Sequence, residues 1–191
     1  MKSRPAEIDR RRGPIRRALR WAEHVLAATG LAFLAYHVCF DVSVVVSDSM
    51  SPTLKGTAVE NGDWVLTEKV SGFFRPPRRW EVVAFTNGEG TRVMKRVAGL
   101  PGEAVSMRDR AVCIDGSAAR RPASLDRLAY LPYGNVGGGK EFRCDGGYYV
   151  LGDRTEDSED SRFEGVVRPE QVVGRAWLIL WPPSRMGFVN P

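Results

Sequence analysis

The stretch Ser47-Asp48-Ser49-Met50-Ser51-Pro52-Thr53-Leu54 divides the sequence into two parts with different patterns. The long apolar run of the chain lies before it, and short β-branched runs separated by Gly and Pro follow it. Pro52 fixes its own φ and favours an extended backbone at Ser51, and the surrounding hydroxyls can bond nearby backbone groups. The stretch therefore predicts a tight turn between an apolar segment and a β-rich body. On these residues alone, a serine-rich connection without chemistry is an equally good interpretation.

The apolar segment at residues 21–40 predicts a membrane-spanning helix. Twenty helical residues extend about 30 Å, which matches the hydrocarbon core of a bilayer. A cleaved secretory or lipoprotein signal would end in small residues, whereas residues 36–40 read Tyr-His-Val-Cys-Phe. The segment therefore favours an uncleaved anchor over residues 21–41. We expect the tail (1–20) inside the cell and the body (42–191) outside.

The chain of 191 residues has a formal net charge of +5, and the excess lies at one end. Residues 1–20 carry eight basic and two acidic side chains, and the remaining chain carries 20 basic and 21 acidic ones. A near-neutral body lacks the basic face that nucleic-acid binding requires, so we expect no nucleic-acid partner. A basic tail beside an apolar run is typical of the cytoplasmic flank of an anchor, with membrane lipid as a partner.

Eight short runs rich in β-branched residues predict strands, and no amphipathic helix is evident after residue 41. The runs cover residues 42–46, 63–68, 80–85, 92–98, 104–108, 112–115, 148–151 and 172–180. Many short strands with turn signals between them indicate a mostly β fold with antiparallel sheets. Residues 117–147, rich in Ala, Arg and then Gly, predict a long mobile excursion from the core.

Cysteines and histidines are scarce, which excludes several kinds of site. Cys113 and Cys144 are the cysteines of the body, and whether they form a disulfide is left open by their spacing. No Cys or His spacing suits a metal, so we expect no metal and no cofactor. His24 and His37 lie in or beside the apolar run. A Ser-His-Asp arrangement in the body is therefore excluded.

Lys95 is the candidate base, because a lysine with a lowered pKa can activate a serine. Side-chain alternation along 92–98 places Val93, Lys95 and Val97 on one face and Arg96 on the other. An amine flanked by valines on an apolar face is partly desolvated, which lowers its pKa toward the working pH of a general base. The alternative is that Lys95 lies at a sheet edge and extends its amine into solvent.

The acidic segment at residues 152–165 reads Gly-Asp-Arg-Thr-Glu-Asp-Ser-Glu-Asp-Ser-Arg-Phe-Glu-Gly and follows a predicted strand. A run this acidic is usually a solvated loop, but Asp153, Asp160 and Arg162 lie among turn-forming Ser and Gly. That mixture suits a loop held by its own polar contacts. Ser158 could then donate a hydrogen bond that orients a neutral lysine.

Together these segments resemble the type I signal peptidases, membrane-anchored Ser/Lys proteases that remove signal peptides from exported preproteins. The resemblance runs in order from the anchor to the end of the chain. It covers residues 47–54, Gly-Asp-Trp-Val at 62–65, Lys-Arg-Val-Ala-Gly-Leu-Pro-Gly-Glu at 95–103, the acidic segment 152–165, and Gly-Arg-Ala from 174. Five ordered motifs are specific, whereas one alone would be weak.

The resemblance implies catalytic roles for four residues. Ser49 is expected to be the nucleophile, and Lys95 the general base that takes its proton. The backbone N–H of Ser49 and the hydroxyl of Ser47 are expected to form the oxyanion hole, and Ser158 to orient Lys95.

The resemblance also implies structural, substrate-binding and topological features. The residues expected to hold the loop are Asp153, Asp160 and Arg162. Those expected to line shallow pockets for small residues at −1 and −3 of the cleaved preprotein are Val45, Leu54, Val93 and Met94. The expected architecture is a β-rich peptidase domain with a variable insertion at 106–147. The expected location is the bacterial cell membrane, with a cytoplasmic N-terminus.

Two departures from the family pattern bear on substrate preference rather than on the Ser/Lys pair. Arg154-Thr155 stand where the family usually has Asn-Arg, and Glu164 stands where an aromatic residue is common. Two alternatives stay open. The first is a maturation peptidase dedicated to one secreted, conjugation or pilus substrate. The second is a non-catalytic anchored β-domain, against which the presence of Ser49, Lys95 and Ser158 argues.

Overall fold

The computed structural model describes residues 6–189, with side chains from residue 15 onward. The chain forms two compact units, one ending at Cys39 and the other beginning at Phe40. Lys2 and Arg4 of the predicted basic tail lie outside the described residues.

The first unit is a single helix, α1 (Ala6–Cys39). Its part Ile15–Cys39 is long and apolar enough to cross a membrane. Large side chains along it are exposed, with Trp21 and Leu26 each 72% accessible. Apolar side chains without protein neighbours favour an apolar surrounding, which a bilayer supplies. The helix ends at Cys39, and the next residue already belongs to a strand.

The second unit is mostly β, as predicted. Its described residues form β1 (Phe40–Val44), β2 (Trp64–Glu68), β3 (Val82–Thr86), β4 (Arg92–Gly99), β5 (Ala104–Arg108), β6 (Ala111–Ile114), β7 (Ser117–Ala118), β8 (Phe142–Arg143), β9 (Tyr149–Leu151), β10 (Val172–Trp181) and β11 (Gly187–Phe188). A short helix, α2 (Ser161–Glu164), follows β9. Each of the eight predicted strands overlaps one of these, because β-branched runs suit a pleated, half-buried surface.

The strands form two antiparallel sheets. The larger has the order β1-β2-β10-β3-β4-β9, with β11 paired to β10. The smaller has the order β7-β6-β5-β8 and lies within residues 104–143, which overlap most of the expected insertion at 106–147. Its two hairpins have two-residue turns, at residues 109–110 and 115–116, in which all four φ angles are positive.

Both faces of the larger sheet are covered over much of their area. Alternation along β3 sends Val82 and Ala84 into one apolar cluster and Val83 and Phe85 into another. Each large apolar side chain buried in this way contributes roughly 1.5–3 kcal/mol to folding. Residues 94–99 of β4 are all buried, so this strand has two buried faces.

The expectation that residues 117–147 leave the core is wrong. Leu125, Leu128, Tyr130, Val136 and Cys144 are all buried, and they form one cluster with residues of β5 and β9. The Gly-rich composition suggested mobility because it lacks hydrophobic periodicity. Widely spaced apolar residues nevertheless close the smaller sheet against the larger one.

Candidate active site

Ser49 lies in a short 3-10 helix, Asp48–Met50, that follows β1. The turn is closed by backbone bonds from Ser51 N to Asp48 O and from Leu54 N to Met50 O, both 2.9 Å. Ser49 is 8% exposed, and its Oγ lies 3.2 Å from Ser47 Oγ. The turn therefore holds two hydroxyls together at the surface edge of the core.

Lys95 lies in β4 opposite Val83 of β3, on the face predicted by alternation. It is 3% exposed, which excludes the alternative in which the amine extends into solvent. Burial lowers its pKa below the ordinary lysine value, although the Asp160 carboxylate acts in the opposite direction. Its Nζ donates a hydrogen bond to Ser158 Oγ at 3.0 Å.

Ser158 is held in turn by a buried ion pair. Its hydroxyl donates to Asp160 Oδ2 at 2.7 Å. Arg162 donates to both carboxylate oxygens of Asp160 at 2.8 Å, and neither side chain is accessible to solvent. Such a bidentate pair fixes orientation as well as distance. One continuous hydrogen-bonded network thus connects the Lys95 amine to the Ser158 hydroxyl and to the Asp160–Arg162 ion pair.

The loop that carries Ser158 packs directly on residues 47–54, which we term the nucleophile segment after the role expected of Ser49. Arg154 N–H donates to the carbonyl oxygen of Ser49 at 3.0 Å. A β-carbon at Gly152 would lie 2.6 Å from that oxygen and 2.1 Å from Ser158 Oγ. Only glycine allows this approach, so Gly152 brings the backbone of Ser49 close to the hydroxyl that binds Lys95.

An apolar cavity of about 210 Å³ opens at Ser49. Its wall includes Ser47 and Met50 from the nucleophile segment, Val45 before it, and Val93 and Met94 of β4. Leu54 does not line the cavity: it is fully buried in the cluster that contains Met50 and Met94. A larger cavity, about 330 Å³ beside Arg75 and Glu81, has none of the predicted site residues in its wall.

The comparisons with known proteins agree with this geometry. Residues 18–181 match the family model described as signal peptidase, peptidase S26. The chain belongs to the signal peptidase family. It is 33% identical over 156 residues to signal peptidase I of Leptolyngbya laminosa, covering 77% of this chain and 71% of that protein. It is 30% identical over 181 residues to signal peptidase I of Bacillus caldolyticus, covering 91% and 96%.

A crystal structure of a signal peptidase I from Enterococcus faecalis V583 is also similar to this signal peptidase. It has a TM-score of 0.42 and 32% identity, and the match covers 53% of this chain and 97% of the solved one.

The peptidase also contains buried site residues that sequence reasoning missed. Arg96 is fully buried and donates to both carboxylate oxygens of Asp153, at 2.8 and 2.7 Å. It also donates to Thr53 Oγ1, beside the nucleophile turn, and Thr53 donates to Asp153 at 2.5 Å. Alternation predicted one apolar face of β4, the face of Lys95, and placed Arg96 on the opposite face. Nothing local in the sequence predicted that Arg96 would be buried there. The pair therefore joins β4, the nucleophile turn and the loop.

Residues 129–135, within the expected insertion, contact the loop that carries Ser158 through several hydrogen bonds. We term them the clamp segment. Thr155 Oγ1 donates to Ala129 O at 2.8 Å, and Arg162 Nη1 donates to Leu131 O at 3.3 Å. Asn135 Nδ2 donates to Ser161 O at 2.7 Å. A β-carbon at Gly134, whose φ is +56°, would lie 2.1 Å from Arg162 O. Because these partners lie 26 to 31 residues apart, no local pattern could have predicted them.

The remaining predicted features can be placed briefly. Cys113 and Cys144 are both buried free thiols, and burial raises the pKa of Cys144 to about 12. Within the described side chains, no group of three or more His, Cys, Asp or Glu residues is arranged to hold a metal ion.

Proposed function

We propose that this peptidase removes signal peptides from exported preproteins through an acyl-enzyme, with Ser49 as nucleophile and Lys95 as general base. One observation carries the assignment. The buried amine of Lys95 donates a hydrogen bond to Ser158, and the loop that carries Ser158 is hydrogen-bonded to the carbonyl oxygen of Ser49. A desolvated, oriented amine is what a serine needs where histidine is lacking.

The proposed chemistry conserves atoms and charge at each step. Ser49 Oγ attacks the carbonyl carbon of residue −1 while its proton moves to Lys95 Nζ. The Ser47 hydroxyl and the Ser49 N–H stabilise the oxyanion that forms. The C–N bond then breaks, and the new amine of the mature chain takes the proton from Lys95. Water, deprotonated by the neutral Lys95, attacks the ester carbonyl; the bond from that carbon to Ser49 Oγ breaks, and Lys95 returns the proton to Ser49 Oγ.

The apolar cavity supports a preference for small residues at −1 and −3. Val45, Val93 and Met94 leave about 210 Å³ in all, which suits two small side chains rather than one large one. Leu54 is proposed to act from beneath, by supporting Met50. Asp153, Asp160 and Arg162 are proposed to keep the loop in place rather than to touch substrate.

The proposed location is the bacterial cell membrane, with the N-terminal tail cytoplasmic and the second unit outside. Support comes from the basic tail, the apolar α1 and the short path from Cys39 to Ser49. Ten residues extend at most about 36 Å, so the nucleophile stays near the membrane surface. A preprotein held in the same membrane is then presented at a raised effective concentration.

Single substitutions test the assignment directly. Ser49→Ala and Lys95→Ala should each lower kcat for a preprotein with an Ala-x-Ala site by at least about 10⁴-fold. Ser117→Ala and Lys55→Ala, which remove the same groups at exposed positions, should leave kcat unchanged. Circular dichroism checks that all four variants are folded. Cleavage by folded Ser49→Ala at a rate near the wild type would overturn the proposal.

A further inference from the structure

We propose that a second, polar cavity binds the segment of substrate that follows the cleaved bond and selects acidic side chains there. The ligand is a carboxylate-bearing stretch of peptide, the first residues of the mature chain. The inference rests on the proposed function, because it assigns the leaving side of the same site.

The polar cavity begins where the apolar one ends. It has a volume of about 330 Å³, and Ser51 and Pro52 form part of its wall. The apolar cavity is lined by residues 43–47, Ser49, Met50 and residues 91–94, and the two cavities share no lining residue. Ser49 thus lies in the wall of the apolar cavity, while its carbonyl oxygen accepts a hydrogen bond from the N–H of Arg154, which lines the polar one. When residues before the cleaved bond occupy the apolar cavity, those after it leave toward the polar one.

The distance along the chain indicates which substrate residues reach the polar cavity. Ser51 follows Ser49 by two residues, which extend at most about 7 Å. An extended substrate covers the same distance with two residues. The second and third residues after the cleaved bond, +2 and +3, are therefore the ones that the cavity meets.

Two of the five charged side chains in the cavity wall, Asp153 and Arg154, are already paired. Asp153 is bonded to Arg96, and neither side chain is accessible to solvent. Arg154 forms ion pairs with Asp48 and Asp157. These groups stabilise the site itself and have little left for a ligand.

Two arginines of the wall remain uncommitted. The side chains of Arg110 and Arg127 make no hydrogen bond or ion pair with any residue that the structure describes. Glu156 is the one unpaired carboxylate among the described residues of the wall. The unpaired side chains of the wall thus carry two positive charges and one negative charge. This balance favours a bound carboxylate over a bound ammonium group.

The backbone at Arg110 gives an independent indication. The turns Asp109-Arg110 and Asp115-Gly116 join neighbouring strands of the same small sheet, and all four residues have positive φ. Two-residue turns of this kind usually have glycine at their second position, as the second turn does with Gly116. Arg110 adopts a φ of +63° despite the penalty for a bulky side chain. Conformational strain of this kind clusters at functional sites, which supports a binding role for this side chain.

Paired charge changes in enzyme and substrate test the inference. The substrates are three peptides with one Ala-x-Ala site that carry Asp, Gln or Lys at both +2 and +3. In neutral detergent at low salt, we expect kcat/KM to be roughly 3–10-fold higher for Asp than for Lys. Arg110→Glu with Arg127→Glu should reverse that order. Salt near 1 M should remove it, because the screening length falls to about 3 Å.

Three further variants separate this site from general charge effects. Arg108→Glu makes the same charge change on the same hairpin outside the cavity, and should keep the Asp preference. Glu156→Gln should enlarge the preference. Arg110→Gly relieves the strained φ, so it should raise the unfolding temperature while weakening the preference.

Each outcome decides the question. Equal rates for the three peptides, or a preference unaltered by reversing Arg110 and Arg127, would overturn the inference. So would an effect of those arginines that appears only with anionic lipid vesicles, because the ligand would then be a headgroup. Binding of the same peptides to Ser49→Ala gives a readout without catalysis. If the Asp peptide binds that variant more tightly than the Lys peptide does, the cavity binds acidic peptide as proposed. If the wild type then cleaves none of the peptides, the proposed chemistry is refuted while the cavity's role stands.

Discussion

In the proposed mechanism, the burial of Lys95 combines a catalytic advantage with a loss of stability. The residue is 3% exposed, and burial lowers the pKa of its amine. The neutral amine is the form that can accept a proton from serine. The same burial disfavours the charged form that an unfolded chain would carry at neutral pH.

Lys95→Met is therefore expected to inactivate the enzyme and to stabilise it. Between the lowered folded pKa and the ordinary value near 10.4, the unfolded chain holds a proton that the folded chain has released. The free energy of unfolding of the wild type therefore rises with pH across that interval. Below the interval, the folded state bears the whole cost of burying a charged amine. Methionine removes the penalty, so Tm should rise by about 2–4 °C at neutral pH, as roughly 1 kcal/mol produces in a domain of this size.

Calorimetry of both proteins from pH 6 to 10 measures this difference. The gain in Tm should shrink as the pH rises, because the wild type loses its penalty. Lys55→Met, at an exposed position, should show no such trend. A lower Tm for Lys95→Met at every pH would show that the amine is held mainly by favourable contacts.

At the same scale, the sequence allowed Lys95 to be predicted but not Arg96. The valines on either side of Lys95 indicate an apolar face through alternation alone. Arg96 is buried because Asp153, 57 residues away, and Thr53, 43 residues away, meet it in the fold. Charge pairing at such separations leaves no periodic signal, so an arginine on a strand reads as solvent-exposed.

At the scale of elements, the loop that carries Ser158 depends on the clamp segment. Asn135 is its most connected side chain, since it donates to Ser161 O and accepts from Tyr149 OH, both at 2.7 Å. Ser161 begins the short helix α2, and Asp160 caps that helix. In the proposed mechanism, the clamp segment therefore acts on Lys95 through Asp160 and Ser158, which makes its residues positioning residues.

Asn135→Ala should lower kcat by about 10-fold or more with little change in KM, because misplacing a catalytic group slows chemistry. A loosened loop also lets water reach Lys95, so its pKa should rise. The ascending limb of kcat/KM against pH is then expected to move to higher pH.

The matched control is Asn61→Ala, which removes amide hydrogen bonds from an exposed turn at residues 57–61. It should leave the pH profile in place. If Asn135→Ala lowers Tm without moving the profile or kcat, the clamp segment contributes to folding alone.

The elements themselves were predictable to an uneven degree. Eight strands with runs of β-branched residues were predicted, whereas β7, β8 and β11, each two residues long, were not. Two residues carry no alternation, and these strands exist because a neighbouring strand offers hydrogen bonds. Glycine was misleading in the insertion: the Gly-rich composition of residues 117–147 predicted mobility, yet Gly134 packs closely against the backbone of Arg162.

At the scale of the whole molecule, the chain divides into two units, one ending at Cys39 and the other beginning at Phe40. The second unit has its own apolar clusters, and Phe40 begins a strand that pairs with β2 from its first residue. A chain that starts at residue 40 therefore retains every strand.

We expect the 40–191 fragment to fold and to cleave a short soluble peptide with kcat/KM close to that of the full chain. Its advantage with a preprotein embedded in vesicles should be lost, and kcat/KM should fall by about 10²–10⁴-fold, because the two partners no longer share a membrane. A fragment starting at residue 45 is the matched control. It lacks β1, which leaves the edge of β2 unpaired, so it should lose stability and cleave both substrates poorly. Equal rates of the 40–191 fragment and the full chain on embedded preprotein would show that α1 contributes nothing to substrate capture.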